Sequence, residues 1–122
     1  MNNTTYKYIN LDSLRENTFG DISILTEIME MFLEDIDVFI NLLNSEISKQ
    51  NWPKLFQETH KIKPNISMFG IFSLETPILK LENCFRKEEE LHEVDALSRF
   101  VVSSLNEVKK EIQIELKLLR HE

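Results

Sequence analysis

Apolar side chains recur every three or four positions along most of this chain, the spacing that predicts amphipathic helices. The first long run follows Gly20, and Asp21 is a good N-cap because its carboxylate can accept from the free N–H groups of the first turn. This run predicts a helix from about residue 21. The acidic stretch "LEDID" at 33–37 could cap a second helix, so we expect a break or bend there, with one longer helix as the alternative.

A second run begins at Trp52-Pro53, after the polar cluster "SKQN". Pro53 fits the first turn of a helix, where its missing N–H is harmless. The helix should continue to Phe69 and close at Gly70. Its predicted core stripe consists of Leu55, Thr59, Ile62, Ile66 and Phe69.

Two more amphipathic runs complete the pattern. One begins at Ser73 or at Thr76-Pro77 and ends in the charged "RKEEE" at 86–90, and the last extends from Val94 to Leu119. Because each helix has one stripe to bury, we predict an all-α fold, an up-and-down antiparallel four-helix bundle over about 21–120. The whole chain, 1–122, is predicted to be a single domain whose first seven residues are flexible. A short N-terminal helical extension would carry Tyr8, Ile9, Leu11 and Leu14.

Composition and charge narrow the functional classes. Two glycines and three prolines are too few for a turn-rich β fold, and the single Cys84 excludes an internal disulfide and suggests a small core residue. The net charge of −7 disfavours nucleic acid, because it repels a phosphate backbone. No apolar run is long enough for a membrane span or a signal peptide, so we expect a cytoplasmic protein without membrane contact.

His60 is the candidate reactive residue. With about 100° per residue, it falls about 140° from the core stripe and so points outward. Lys63 and Ser67 share its face at i+3 and i+7, while Phe56 and Met68 add apolar surface where a helix facing only water would carry charge. An idle surface histidine is the competing interpretation.

An exposed imidazole is largely unprotonated near neutral pH and can attack a phosphoryl group, whose oxygens Lys63 would contact. The chain has no Gly-rich phosphate loop, so we expect neither kinase nor ATPase activity of its own. A metal site is poorly supported, because His60, His92 and His121 are scattered and the Glu-x-x-His at Glu89 lies in a charged stretch. Nor does Cys84 have a histidine at useful spacing for nucleophilic catalysis.

At this point the chain resembles the histidine-containing phosphotransfer (HPt) domain, the relay module of multistep two-component signalling. The family signature has a histidine, a variable residue, an aliphatic residue, a lysine and later an apolar residue with glycine. His60, Ile62, Lys63 and Phe69-Gly70 match it in spacing. The stretches "YINLDSL", "GD", "MFLEDID" and "NWPKLFQETH" are similar to the family's layout, so the resemblance spans nearly the whole chain.

The resemblance implies that His60 accepts a phosphoryl group from a receiver-domain aspartyl phosphate and donates it to another receiver. The partners would be receiver domains of response regulators, including one that belongs to a hybrid histidine kinase. It implies no cofactor for this chain, since Mg²⁺ belongs to the receiver, and a monomer suffices. Lys63 would stabilise the phosphoryl group, and Gly70 would be structural. We expect the partner to dock on Phe56, Gln57, Lys61, Pro64, Ser67 and Met68.

Pro64 departs from the family pattern, which usually has glycine after the lysine, and the larger Asn65 and Ile66 follow it. Proline cannot donate to the carbonyl of His60, so we expect a kink or local loosening, at a cost of about 3 kcal/mol in isolation. Two alternatives stay open: a helical bundle that binds a receiver or kinase without carrying phosphate, and a structural bundle with no signalling role. The presence of both His60 and Lys63 argues against the first.

Overall fold

The computed structural model describes residues 5–121, and over that range its regular structure is entirely helical. A single 3₁₀ turn, Leu91–Glu93, precedes the last helix. The five α-helices are α1, Asp12–Asn17; α2, Ile22–Glu46; α3, Trp52–Met68; α4, Phe72–Lys87; and α5, Val94–Arg120.

The four long helices form a closed bundle. Each contacts the next along the chain, α2 with α3, α3 with α4 and α4 with α5, and α5 returns to α2. The connections at 47–51, 69–71 and 88–93 are short, so successive helices run antiparallel. The predicted all-α four-helix bundle is confirmed.

Helix α2 corrects one prediction and confirms another. Asp21 caps it, with one carboxylate oxygen accepting from the Ile24 N–H at 3.0 Å. The predicted break at 33–37 is wrong, because α2 is continuous from Ile22 to Glu46. Asp35 and Asp37 are exposed while Ile36 between them is fully buried, so the acids decorate the solvent face of an unbroken amphipathic helix.

The N-terminal extension differs from its prediction. Its helix, α1, begins at Asp12 rather than near Tyr8, and residues 5–11 form a non-helical segment that we call the N-terminal strap. The predicted flexible start covers residues 1–4, which lie outside the described residues, and part of this strap. Within the strap, Tyr6 and Lys7 hydrogen-bond to α5.

Two carboxylates of α5 hold the strap and α1. Glu111 accepts the backbone N–H groups of Lys7, Tyr8 and Ile9 at about 2.9 to 3.2 Å. The fully buried Glu115 binds the Tyr6 hydroxyl at 2.6 Å and the guanidinium of Arg15 in α1 at 2.7 Å. The buried charge is thus paired and hydrogen-bonded, which offsets its desolvation.

The strap also reaches the end of α3. The Asn10 N–H donates to the Phe69 carbonyl at 2.9 Å. Gly70 follows with a φ of +60°, and a Cβ there would lie 2.6 Å from the Asn10 carbonyl oxygen. Gly70 is therefore required both by backbone conformation and by space, which supports the structural role expected for it.

Candidate functional site

Helix α3 presents His60 on its outer face. The predicted stripe of Leu55, Thr59, Ile62 and Ile66 is buried, whereas the His60 side chain is 68% exposed. The helix continues through Pro64, which is itself exposed and lies one turn after the histidine. The proline therefore neither ends the helix nor disturbs its buried stripe.

The His60 ring is held by a residue that sequence analysis did not identify, Glu82 of α4. One carboxylate oxygen of Glu82 lies 2.6 Å from Nδ1 of His60, and the other lies 2.8 Å from Nζ of Lys63. The Glu82 side chain is only 8% exposed, so the bridge is formed at the edge of the α3–α4 interface. His60 and Lys63, predicted to share a face, are thus joined through a third side chain.

Glu82 occupies this position because α4 turns it inward. It lies four residues after Ile78 and three before Phe85, both fully buried, and therefore belongs to the apolar stripe of α4. A buried carboxylate needs a charged or hydrogen-bonding partner. A single Glu inside an apolar stripe is the sequence feature that could have identified Glu82, although this feature does not indicate which helix supplies the partner.

The electrostatics favour an ionised Glu82. Burial raises the pKa of the Glu82 carboxyl, but hydrogen bonds from Lys63 and His60, together with their charges, outweigh burial and hold the pKa below its ordinary value. A carboxylate accepts but cannot donate, so its contact with Nδ1 requires the hydrogen of a neutral ring to reside on Nδ1. The lone pair then lies on Nε2, on the edge of the ring directed away from Glu82.

The remaining predicted site residues fall into two groups around His60. The Phe56 and His60 rings stack with centroids 5.9 Å apart and planes inclined by 26°. Phe56 and Met68 are partly buried and pack against the core, so only part of each is open to a partner. The exposed members are Gln57, Lys61, Pro64 and Ser67.

Cys84 and a group of exposed acidic and histidine side chains are further candidates for reactivity or metal binding. Cys84 is buried, and its thiol pKa is raised by burial and by the charges of Glu93 and Glu90, which opposes thiolate chemistry. Within residues 5–121, one group places potential metal ligands within 4.8 Å of one another, namely Glu90, His92 and Glu93. All three are exposed, an arrangement that acidic surfaces commonly show without an ion.

The described helices include none that combines the length and the apolar character needed to cross a membrane. In a comparison with known protein families, the Hpt domain model matches residues 27–122. Neither the curated proteins nor the solved structures gave a match to this chain. The match covers α3 with His60 and Lys63, α4 with Glu82 and all of α5, while the strap and α1 lie outside it. The chain therefore belongs to the Hpt domain family.

Proposed function

We propose that this chain is a phosphorelay intermediate, in which Nε2 of His60 takes a phosphoryl group from the aspartyl phosphate of one receiver domain and passes it to another. Hpt domains serve histidine phosphotransfer in general and interact with receiver domains of response regulators or kinases. The observation that carries the assignment to His60 is the Glu82 bridge, which ties an exposed imidazole and an ammonium group into one unit.

The arrangement supplies what a passive phosphoryl carrier needs. Glu82 fixes the hydrogen on Nδ1, so Nε2 is the nucleophile without any general base. Lys63 is bound to the same carboxylate as the ring, and from one turn along α3 its ammonium group would form charge-assisted contacts with the phosphoryl oxygens. The aspartyl phosphate already contains an activated phosphoryl group, so positioning and charge are sufficient.

The receiver would dock on the outer face of α3. Gln57, Lys61, Pro64 and Ser67 are exposed there, and the partly buried Phe56 and Met68 add apolar contact. Pro64 has little bulk and lies on the same face as His60, so it allows close approach. We assign the Mg²⁺ of the reaction to the receiver, and one bundle with one such histidine can act as a monomer.

The test is transfer of labelled phosphate from a phosphorylated receiver to wild type, His60→Gln and His92→Gln. His92 is exposed in the 3₁₀ turn before α5 and provides the matched control. We expect acid-labile, base-stable labelling of wild type and His92→Gln, and loss of labelling in His60→Gln. Label that persists in His60→Gln would contradict the proposal. Receiver binding without label on wild type would instead favour the interaction module that carries no phosphate.

A further inference from the structure

We propose that Glu82 acts again after the first transfer, by keeping the proton on Nδ1 of phosphorylated His60 so that the phosphoryl group can leave for the second receiver at neutral pH. This inference rests on the proposed function of His60. It follows from a contact that the phosphoryl group does not disturb, because Glu82 binds Nδ1 and the phosphoryl group would be attached to Nε2.

The electron count shows why the proton matters. In the first transfer, the Nε2 lone pair forms the N–P bond, and the P–O bond breaks with its electrons going to the receiver's aspartate. Nδ1 keeps its hydrogen, so the product is a positively charged phosphoimidazolium. In the second transfer, a receiver carboxylate forms a new P–O bond, the N–P electrons return to Nε2, and the ring is again a neutral imidazole with hydrogen on Nδ1.

Loss of the Nδ1 proton to water would change the leaving group. The N–P electrons would then depart on an imidazolate anion, which is a much poorer leaving group than neutral imidazole. An ionised carboxylate 2.6 Å from Nδ1 stabilises the imidazolium form, and its low exposure limits competition from water. The phosphorylated ring is thereby kept in the form that can discharge.

The charges around the ring support this assignment. On α3 itself, Lys63 shares the Glu82 carboxylate and, together with His60, outweighs the effect of burial and lowers the pKa of Glu82, which keeps the carboxylate ionised. From α4, Glu82 is the acid in contact with the ring. From α2, Asp35 contacts α3 at the Asn65 amide, 3.4 Å away, and shares with Glu58 and Lys61 a groove whose lining does not include His60.

Glutamine at 82 is a sharp test because it has one accepting oxygen and one donating NH₂. If the oxygen faces Nδ1, the NH₂ confronts the Lys63 ammonium; if the NH₂ faces Nδ1, the ring hydrogen must move to Nε2. Neither arrangement supplies a negative charge for the imidazolium. Glu75→Gln is the control, since it removes the same charge from an exposed position of α4 that lines a groove with Lys63, whereas Glu82 contacts the ring itself.

The experiment loads wild type, Glu82→Gln and Glu75→Gln with phosphoramidate, a chemical donor that needs no receiver. Nitrogen-15 NMR of the phosphorylated ring then follows Nδ1 protonation with pH, beside a phosphorylated peptide of residues 58–66. We expect Nδ1 in wild type and Glu75→Gln to keep its proton at least about one pH unit higher than in Glu82→Gln or the peptide. Discharge to a receiver should fall roughly tenfold per pH unit once the ring loses its proton, and this fall should begin at a correspondingly higher pH in wild type and Glu75→Gln than in Glu82→Gln.

Equal Nδ1 titration in wild type and Glu82→Gln, or coincident pH profiles of discharge, would overturn the role of Glu82. If Glu82→Gln does not fold, the comparison of wild type with the peptide still tests the role of Glu82, because equal titration there would also overturn it. A ring that phosphoramidate loads but that no receiver discharges at any pH would contradict the proposed function, and this inference with it.

Discussion

Glu82 divides its two oxygens between an imidazole and an ammonium group, and at 8% exposure it has little water to replace either partner. Its partners are far more open, with His60 68% and Lys63 36% exposed. The buried member of the bridge thus fixes the two exposed ones. Any loss of the carboxylate charge would release both side chains toward solvent.

The stability contributed by this bridge should depend on pH in the acid range. The folded-state pKa of Glu82 lies below its ordinary value of 4.5, because hydrogen bonds and charges from Lys63 and His60 outweigh the rise due to burial. The contribution is therefore complete above pH 4.5 and is lost as the pH falls below 4.5 through the folded-state pKa. We expect Glu82→Gln to lower the free energy of unfolding by about 1–3 kcal/mol at neutral pH.

Urea unfolding of wild type and Glu82→Gln across this range measures the effect. The difference in free energy of unfolding between the two proteins should become smaller in acid, where wild-type Glu82 takes up a proton. Glu75→Gln, on the exposed face of α4, should show no such narrowing. A gap of constant size down to the lowest pH would show that the charge of Glu82 contributes nothing to stability.

The outward direction of His60 and Lys63 could be predicted because a helical wheel depends only on local spacing. Their partner could not, because Glu82 lies 22 residues from His60 along the chain and the rotation of α4 against α3 is set by packing. Glu115, four residues before the buried Leu119, was missed in the same way. In both cases a carboxylate within an apolar stripe indicates a buried partner without identifying it.

The helices were predictable in number and type because each has an apolar stripe of regular period. The error in α2 arose from treating acidic residues as a cap, although 33–37 lacks the Gly or Pro that would turn the chain. In α3, the helix tolerates Pro64 because the missing N–H and the ring lie on the exposed side. Tertiary packing of a complete apolar stripe outweighs both local signals.

Gly70, just after α3, and Gly20, between α1 and α2, form a matched pair for substitution. Gly20 and Gly70 both have positive φ, but a Cβ at Gly20 meets open space, whereas one at Gly70 meets Asn10 backbone and side-chain atoms at 2.6 and 2.7 Å. Gly20→Ala should cost about 1–2 kcal/mol through backbone conformation alone. Gly70→Ala should cost about 1–3 kcal/mol more, because the strap must move.

Chemical unfolding of the two variants beside wild type gives the difference directly. Equal losses of unfolding free energy in the two variants would mean that Asn10 can move without destabilising the protein, and that the close approach of the strap to α3 is unimportant for stability. Hydrogen exchange at the Asn10 amide locates the effect, since that N–H donates to the Phe69 carbonyl. It should lose protection in Gly70→Ala only.

At the scale of the whole molecule, the strap connects two helices of the bundle, α5 and α3. Glu111 and Glu115 attach its beginning to α5, and Asn10 attaches its end to the C-terminus of α3. The three amide N–H groups that converge on Glu111 have no helical or strand partners, so the carboxylate satisfies donors that would otherwise need water.

Glu111→Gln should therefore loosen the strap as a unit. The glutamine NH₂ would face a backbone donor, and we expect a loss of about 1–3 kcal/mol. Hydrogen exchange should speed up at Lys7, Tyr8, Ile9 and Asn10. Glu107→Gln, one turn earlier on α5 in a surface pair with Lys110, is the control and should leave these amides protected. Unchanged hydrogen exchange at the strap amides in Glu111→Gln would show that Glu111 does not hold the strap.

The sequence separation between the strap and Glu111 also sets an order of events during synthesis of the chain. Tyr8 leaves the ribosome 103 residues before the Glu111 that binds its N–H, and by then α2, α3 and α4 have already emerged. The helix carrying His60 can therefore pair with α4 while Asn10 is still without the α5 anchor of its strap. Closure over so long a loop is entropically costly and cannot precede the synthesis of Glu111, so the strap gains its α5 anchor only after the histidine helix and α4 have been made.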